Sequence, residues 1–216
     1  MEHQHLTPEA RLKQLLQRYP ALTCCKEDIV QAFSLLRDAY RAGKKLLLAG
    51  NGGSAADSAH IVGELMKSFH FRRPADEAVF VQLETLYGQV GRETAALLEG
   101  ALPAVALPEM TALSTAYMND SSPKGVFAQG VYGLGKAGDV FLAISTSGNS
   151  PNVLCACMTA RAMGLKVVGM TGESGGKMRE LCDCLIRVPA AETFAIQEYH
   201  LPVYHALCAM LEAEFF

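Results

Sequence analysis

The sequence lacks the marks of several common protein classes. No apolar run approaches the roughly 20 residues that span a bilayer, and no basic start followed by an apolar stretch marks a secretory signal. The 216 residues carry a formal net charge of -3 without a long run of one sign, so the basic stripe of nucleic-acid-binding proteins is missing. These absences predict a soluble, cytoplasmic protein that binds neither nucleic acid nor membrane.

The cysteines and the two main polar loops do not form the common site motifs. The seven cysteines are odd in number and include no Cys-x-x-Cys pair, which predicts reduced thiols packed as small apolar side chains. The polar loops at 50–54 and 145–150 match neither the Gly-Lys-Ser/Thr of a P-loop nor Gly-x-Gly-x-x-Gly. What is present is an ordinary globular composition, with 50% hydrophobic and 19% charged residues. The length predicts one compact domain with extra helices.

Short apolar runs alternate with helix-like segments along most of the chain. Strands are predicted over 45–49, 104–107, 139–144, 166–170 and 184–188, and helices over 8–19, 26–42, 108–117, 151–163, 176–181 and 193–214. This order predicts an α/β fold: a three-layer, doubly wound parallel sheet of the flavodoxin-like type, preceded by N-terminal helices. Ligands of such sheets bind at the carboxyl ends of the strands.

Two polar loops follow predicted strands and open predicted helices. They are GNGGS at 50–54 and STSGNS at 145–150. Glycines let backbone amides approach a ligand closely, and a helix N-terminus favours an anion. Either loop alone is equally explained as a turn with a helix cap. Two such loops on one sheet predict a phosphate site.

These loops, together with later motifs, resemble the sugar isomerase (SIS) domain family. The shared stretches are GNGGS (50–54), SAHIVGEL (58–65), Asn119-Asp120, STSGNS (145–150), TGESGGKM (171–178), IRVP (186–189), Ile196-Gln197-Glu198 and His205. The resemblance covers about 43–211. SAHIVGEL and the Asn-Asp pair are closest to the branch that isomerises sedoheptulose 7-phosphate.

The resemblance implies a function and a set of site residues. The function is aldose–ketose isomerisation of sedoheptulose 7-phosphate to D-glycero-D-manno-heptose 7-phosphate through an enediol, in a homotetramer with active sites near subunit interfaces. Glu64 and His205 would be the acid–base pair. The substrate would meet Asn51, Gly52, Gly53, Ser54, Asn119, Asp120, Ser145, Thr146, Ser147, Ser150 and Gln197. Family members bind zinc at the positions of His60, Glu64, Gln197 and His205.

The spacing of these residues supports the acid–base pair more than the metal. His60 and Glu64 are four apart on a predicted helix and share a face. A carboxylate and an imidazole suit the proton transfers of an aldose–ketose isomerase. Gln197 and His205 are eight apart, about 12 Å along a helix, and do not converge easily on one ion.

The predicted organisation has two parts, 1–42 as oligomerisation helices and 43–216 as the sugar-phosphate domain. Two departures from the family pattern lie in the second part: an insertion at about 74–102, with predicted short helices at 77–87 and 92–98, and Phe194-Ala195 in place of the usual Asp-Arg. These departures leave open a second hypothesis, a SIS isomerase that acts on another sugar phosphate. A non-catalytic SIS protein that binds a partner is the third hypothesis, and a relative of that kind lacks counterparts of Glu64 and His205.

Overall fold

The computed structural model describes residues 6–216, and in them five parallel strands carry helices on both faces. The strands are β1 (Leu46–Gly50), β2 (Ala104–Ala106), β3 (Val140–Ile144), β4 (Lys166–Thr171) and β5 (Cys184–Arg187). The helices are α1 (Pro8–Arg18), α2 (Lys26–Arg41), α3 (Gly53–Met66), α4 (Glu77–Leu97), α5 (Thr111–Asp120), α6 (Val126–Leu134), α7 (Pro151–Ala162) and α8 (Thr193–Phe215). Over residues 6–216, none of the helices has the length and apolarity to cross a membrane.

The sheet has the order β2-β1-β3-β4-β5, which is the doubly wound arrangement predicted from the sequence. Successive side chains of a strand point to opposite faces. Leu46 and Leu48 therefore enter the core formed with α1, α2, α3 and α8, whereas Leu47 and Ala49 enter the core formed with α6 and α7. Burial on both faces explains why β1 is a continuous apolar run.

The structure differs from the sequence prediction at two places between β2 and β3. The helix expected over 108–117 begins only at Thr111, because Leu107–Glu109 forms a short 3-10 turn. Helix α6 was not predicted at all, since its two glycines lower helix propensity. The first of them, Gly130, packs closely against the Leu107 side chain, from which a Cβ would lie 3.0 Å.

The insertion forms α4, which is broken at one residue. Gly88 has a φ of +59°, a left-handed conformation that favours glycine. The chain turns there, and a Cβ on Gly91 would collide with the carbonyl of Leu83. The two short helices predicted in this region are therefore the two arms of one broken helix.

The apolar faces of α1 and α2 are buried within the chain. Leu12, Leu15, Ile29, Phe33 and Leu36 belong to the same core as β1 and α8. These helices thus pack on the sheet domain whether or not a second subunit is present. The predicted boundary at residue 42 and the assembly role of 1–42 remain predictions, and residues 1–5 of that unit lie outside the described residues.

Candidate active site

The first polar loop connects β1 to α3 in a tight turn. Gly52 has a φ of +56°, and a Cβ on Gly50 would lie 2.6 Å from the Ser54 carbonyl oxygen, so both positions require glycine. Ser54 is buried in the first turn of α3, and Gly53 is covered by the Gln197 amide. The structure thus brings the loop and Gln197 together, and their role in substrate binding remains a prediction.

Asn51 joins the first loop to the second. Its side-chain amide forms reciprocal hydrogen bonds of 2.9 Å with Asn152, in the first turn of α7. The two helices that open at the carboxyl edge of the sheet are therefore tied together at their N-termini. The sequence analysis missed Asn152, which stands two residues beyond the STSGNS motif.

The second polar loop presents hydroxyl groups around a small pocket. Ser145 and Ser150 share a hydrogen bond of 2.9 Å between their Oγ atoms, and Gly148 turns the chain with a φ of +65°. The pocket has a volume of about 230 Å³, and its lining includes Thr146, Ser147, Asn149, Gly172, Glu173 and Thr193. It lies beside the N-termini of α7 and α8, where backbone amides favour an anion. Hydroxyls, amides and helix N-termini together make this a phosphate-type pocket, with the Glu173 carboxylate exposed on its rim.

Asn119 and Asp120 lie at the C-terminal end of α5. Both are exposed, and the Asn119 amide donates a hydrogen bond of 2.8 Å to the Asp120 carboxylate. A second pocket of about 240 Å³ lies beside Asn51, but its α5 wall is formed by Ser114 and Met118. The predicted Asn-Asp pair therefore does not line either pocket, and its role in substrate binding remains a prediction.

The acid–base residues meet where α3 packs on α8. Glu64 Oε1 lies 3.2 Å from His60 Nε2, and Glu64 Oε2 lies 3.2 Å from Lys67 Nζ. The rings of His60 and His205 have centroids 4.9 Å apart. The Glu64 side chain is only 13% exposed, so the folded chain assembles a half-buried cluster of one carboxylate and two imidazoles.

Burial and charge set the protonation of this cluster. Burial and the neighbouring His60 lower the pKa of His205, while Glu64 opposes the shift. His205 Nε2 is buried and has no hydrogen-bond partner among the described residues. The fold thus leaves this imidazole nitrogen without a described partner inside the cluster.

Two residues of the cluster were missed by the sequence analysis. The Tyr204 hydroxyl lies 3.0 Å from His60 Nδ1; when it donates there, Nε2 carries the proton that faces Glu64. Asp57 precedes His60 by three residues on the same helix face, a spacing that could have revealed it. Burial raises the pKa of the Asp57 carboxyl, although Tyr204 and His60 oppose this.

The metal ligands suggested by the resemblance do not converge. Gln197 lies against Gly53, eight residues and about 12 Å along α8 from His205. Two imidazoles and a carboxylate are suitable donors for zinc. Across residues 6–216, however, no three His, Cys, Asp or Glu side chains are placed to hold one ion. The residues present thus have zinc-type chemistry without zinc-site geometry.

Comparison with known proteins agrees with this fold and these motifs. The SIS domain profile matches residues 11–94 and 81–172. A phosphoheptose isomerase of Burkholderia pseudomallei is 40% identical over 220 residues, covering 100% of this chain and 98% of the relative. That of Aneurinibacillus thermoaerophilus is 40% identical over 179 residues, covering 83% and 77%.

Solved structures give the same result. The phosphoheptose isomerase of Neisseria gonorrhoeae superposes with a TM-score of 0.70 at 34% identity, covering 94% of this chain and 91% of that one. That of Francisella tularensis superposes with a TM-score of 0.72 at 28% identity, covering 93% of each. The chain belongs to the SIS domain family and, within it, to the phosphoheptose isomerases.

Proposed function

We propose that this protein is an aldose–ketose isomerase that converts sedoheptulose 7-phosphate to D-glycero-D-manno-heptose 7-phosphate. The observation that carries the proposal is the arrangement along α8: the phosphate-type pocket lies at its N-terminal end, beside Thr193 and Ile196, and His205 of the acid–base cluster lies about 14–18 Å further along the helix. We place the phosphate of an extended sugar phosphate in the pocket and its carbonyl end towards the cluster. The relatives that carry the name phosphoheptose isomerase support the same substrate.

The proposed chemistry is a pair of proton transfers between adjacent carbons. Glu64 removes a proton from C1 of the ketose while the C2 oxygen accepts a proton, which gives the 1,2-enediol. The O1 proton then leaves and C2 receives a proton, which gives the aldose. We assign exchange of the oxygen-bound protons to His205, which packs on His60 next to Glu64 and whose lowered pKa keeps a neutral form available.

The phosphate-type pocket supplies binding energy away from the reacting carbons. Thr146 and Ser147 line this pocket, and Ser145 and Ser150 are bonded to each other in the same loop at the N-terminus of α7, where the helix dipole favours a phosphate. Holding the phosphate there orients the carbonyl end against Glu64 and His205. We therefore assign substrate positioning to the two polar loops and proton transfer to the cluster.

Zinc remains a proposal that rests on the resemblance and on the donor chemistry of His60, Glu64, Gln197 and His205. A bound zinc ion would polarise the carbonyl and stabilise the enediolate. Because Gln197 lies with Gly53 and not with the other three, no step of the proposed mechanism is routed through a metal.

A second candidate is isomerisation of a different sugar phosphate. Phe194 replaces an acidic residue of the family pattern, is 62% exposed and adjoins Thr193, which lines the phosphate-type pocket. The non-catalytic hypothesis is less favoured, because it does not explain why Glu64 and His205 are brought together.

The decisive experiment is a substrate panel. Purified protein is incubated with heptulose, hexulose and pentulose phosphates, and aldose products are followed by NMR. The proposal expects the heptulose phosphate to be converted fastest. Preference for a hexulose phosphate would favour the second candidate function. If no sugar phosphate of the panel is converted, the isomerase function is rejected.

We also propose a cytoplasmic homotetramer, as the resemblance implies. Light scattering at micromolar concentration tests the assembly, and a monomer would contradict it. Fractionation of the producing cells tests the compartment.

A further inference from the structure

A fully buried ion pair lies directly beneath the acid–base cluster. Arg73, in the segment after α3, and Glu212, near the end of α8, both have 0% exposed side chains. Arg73 Nε donates a hydrogen bond of 2.8 Å to Glu212 Oε1. A buried ion pair is stable only when the remaining donors and acceptors of both groups are also hydrogen-bonded. The other partners of Arg73 and Glu212 therefore show which parts of the chain the pair holds.

The other nitrogens of Arg73 hold the end of the helix that carries Glu64. Its two terminal nitrogens donate to the carbonyls of Leu65 and Glu64, at 2.8 and 2.9 Å. Since α3 ends at Met66, these carbonyls belong to the last turn and have no partner within the helix. A cation at the C-terminal end of α3 also interacts favourably with the helix dipole. Arg73 thus fixes the backbone of Glu64 itself.

The oxygens of Glu212 hold the segment that covers His205. They accept hydrogen bonds of 2.8 Å from the backbone amides of Phe69 and His70. The Phe69 ring contacts the His205 ring, with centroids 5.7 Å apart. Glu212 also follows His205 by seven residues, which places both on one face of α8.

We infer that Arg73 and Glu212 are positioning residues for the isomerisation: their ion pair joins the end of α3 to α8 and so fixes Glu64 relative to His205. The inference rests on the proposed function, because it concerns the geometry of that reaction. Neither residue lines the phosphate-type pocket. The pair should therefore affect kcat and leave KM for the sugar phosphate nearly unchanged.

A stabilising role alone predicts something different. Replacing both members of a buried ion pair by apolar residues of similar volume is often neutral for stability, whereas removing one member leaves an unpaired buried charge. The double substitution Arg73→Met/Glu212→Leu removes the ion pair and its hydrogen bonds to the backbone, and it leaves no buried charge. If the pair only stabilised the fold, the folded double variant would keep its kcat.

The test compares the native protein with this double variant, with Arg73→Lys and with a control. The control, Lys45→Met/Asp139→Asn, removes an ion pair of 2.6 Å at the amino ends of β1 and β3, whose carboxylate is bonded to Lys45 and to the Lys136 amide. Melting temperature and kcat and KM are measured for each, and crystal structures of the native protein and the double variant give the positions of Glu64, His60 and His205. Arg73→Lys keeps the charge but not the planar fork, so it reports on positioning if the double variant does not fold.

The inference expects kcat of the double variant to fall about 10- to 100-fold with KM within about twofold, the scale of a small misplacement of catalytic groups. It expects Arg73→Lys to be intermediate, the control to lose only melting temperature, and the contact between Glu64 and His60 to be altered in the crystal. Unchanged kcat in a folded double variant would overturn the inference and leave the proposed function standing. If the native protein converts no sugar phosphate, the proposed function fails, and the crystal structures alone decide whether the pair positions Glu64.

Discussion

The rings of His60 and His205 meet edge to face, with an interplanar angle of 89° and centroids 4.9 Å apart. His60 also contacts Glu64, four residues later on α3, at 3.2 Å. His60 therefore links His205 of α8 to Glu64 of α3, and the packing of these two helices creates the cluster. The proposed proton transfers depend on this contact between helices.

Glu64→Gln should nearly abolish isomerisation while leaving the fold and sugar-phosphate binding intact. Glutamine keeps the size of the side chain but does not take up the proton, so kcat should fall about 10²-fold or more. Steady-state kinetics and a melting curve measure this. Glu27→Gln, an exposed change on α2, is the matched control and should behave as the native protein. Full activity of the Glu64 variant would remove this carboxylate from the mechanism.

Tyr204→Phe should lower kcat with little loss of stability. The phenol oxygen lies 3.0 Å from His60 Nδ1, and without it the imidazole loses the contact that fixes its tautomer. We expect a decrease of about 10-fold, at the lower end of general acid–base effects. Tyr40→Phe removes a hydroxyl that donates to the Pro103 carbonyl and not to His60, and should leave kcat unchanged. Equal kinetics for both variants would argue against a role for Tyr204.

Ser147→Ala should raise KM for the sugar phosphate more than it lowers kcat. Its hydroxyl lines the phosphate-type pocket and accepts a hydrogen bond of 3.2 Å from the Asn149 amide. Loss of one hydrogen bond to a charged ligand costs about 1.5–3 kcal/mol, or roughly 10- to 100-fold in affinity. Isothermal titration with substrate measures the change, and Ser34→Ala on α2 serves as the control. Unchanged affinity would place the phosphate elsewhere.

Asp139→Asn should destabilise the protein at neutral pH and much less in acid. Burial alone would raise the pKa of Asp139, but hydrogen bonds from Lys45 and from the Lys136 amide hold it below the ordinary 3.8. A carboxyl with a lowered native pKa stabilises the fold above its unfolded pKa, and this stabilisation is lost as pH falls through the native pKa. We expect a loss of about 2 kcal/mol at pH 7, from hydrogen bonds to a charged group. Urea unfolding at about pH 7 and about pH 3 measures both values; an equal loss at both would contradict the assignment.

Treatment with a chelator tests the zinc proposal. If the proposed ligand set binds zinc during the reaction, a chelator should inactivate the native protein and added zinc should restore it. His205→Asn should then lower zinc content, measured by elemental analysis, along with activity. Full activity after chelation, with no zinc detected, would show that the side chains carry out the reaction alone.

Much of the fold was readable from local patterns. Leu46–Gly50 and Val140–Ile144 are buried on both faces, so their apolar runs could be recognised without the structure. Helix α6 could not be recognised in this way, because Gly130, which packs closely against Leu107, lowers the helix propensity of the segment. The two short helices of the insertion could also be predicted, because their break falls at Gly88.

The sequence by itself determined the fold class, the family and most of the candidate site residues, because loops and helix starts carry their chemistry at fixed local spacings. Only the tertiary structure decided which of these residues meet. It brought His205 to His60 and Gln197 to Gly53, since a helix keeps residues eight apart at about 12 Å. It also placed Arg73 against Glu212, a pairing across 139 positions that local spacing does not encode and that the burial of two opposite charges requires.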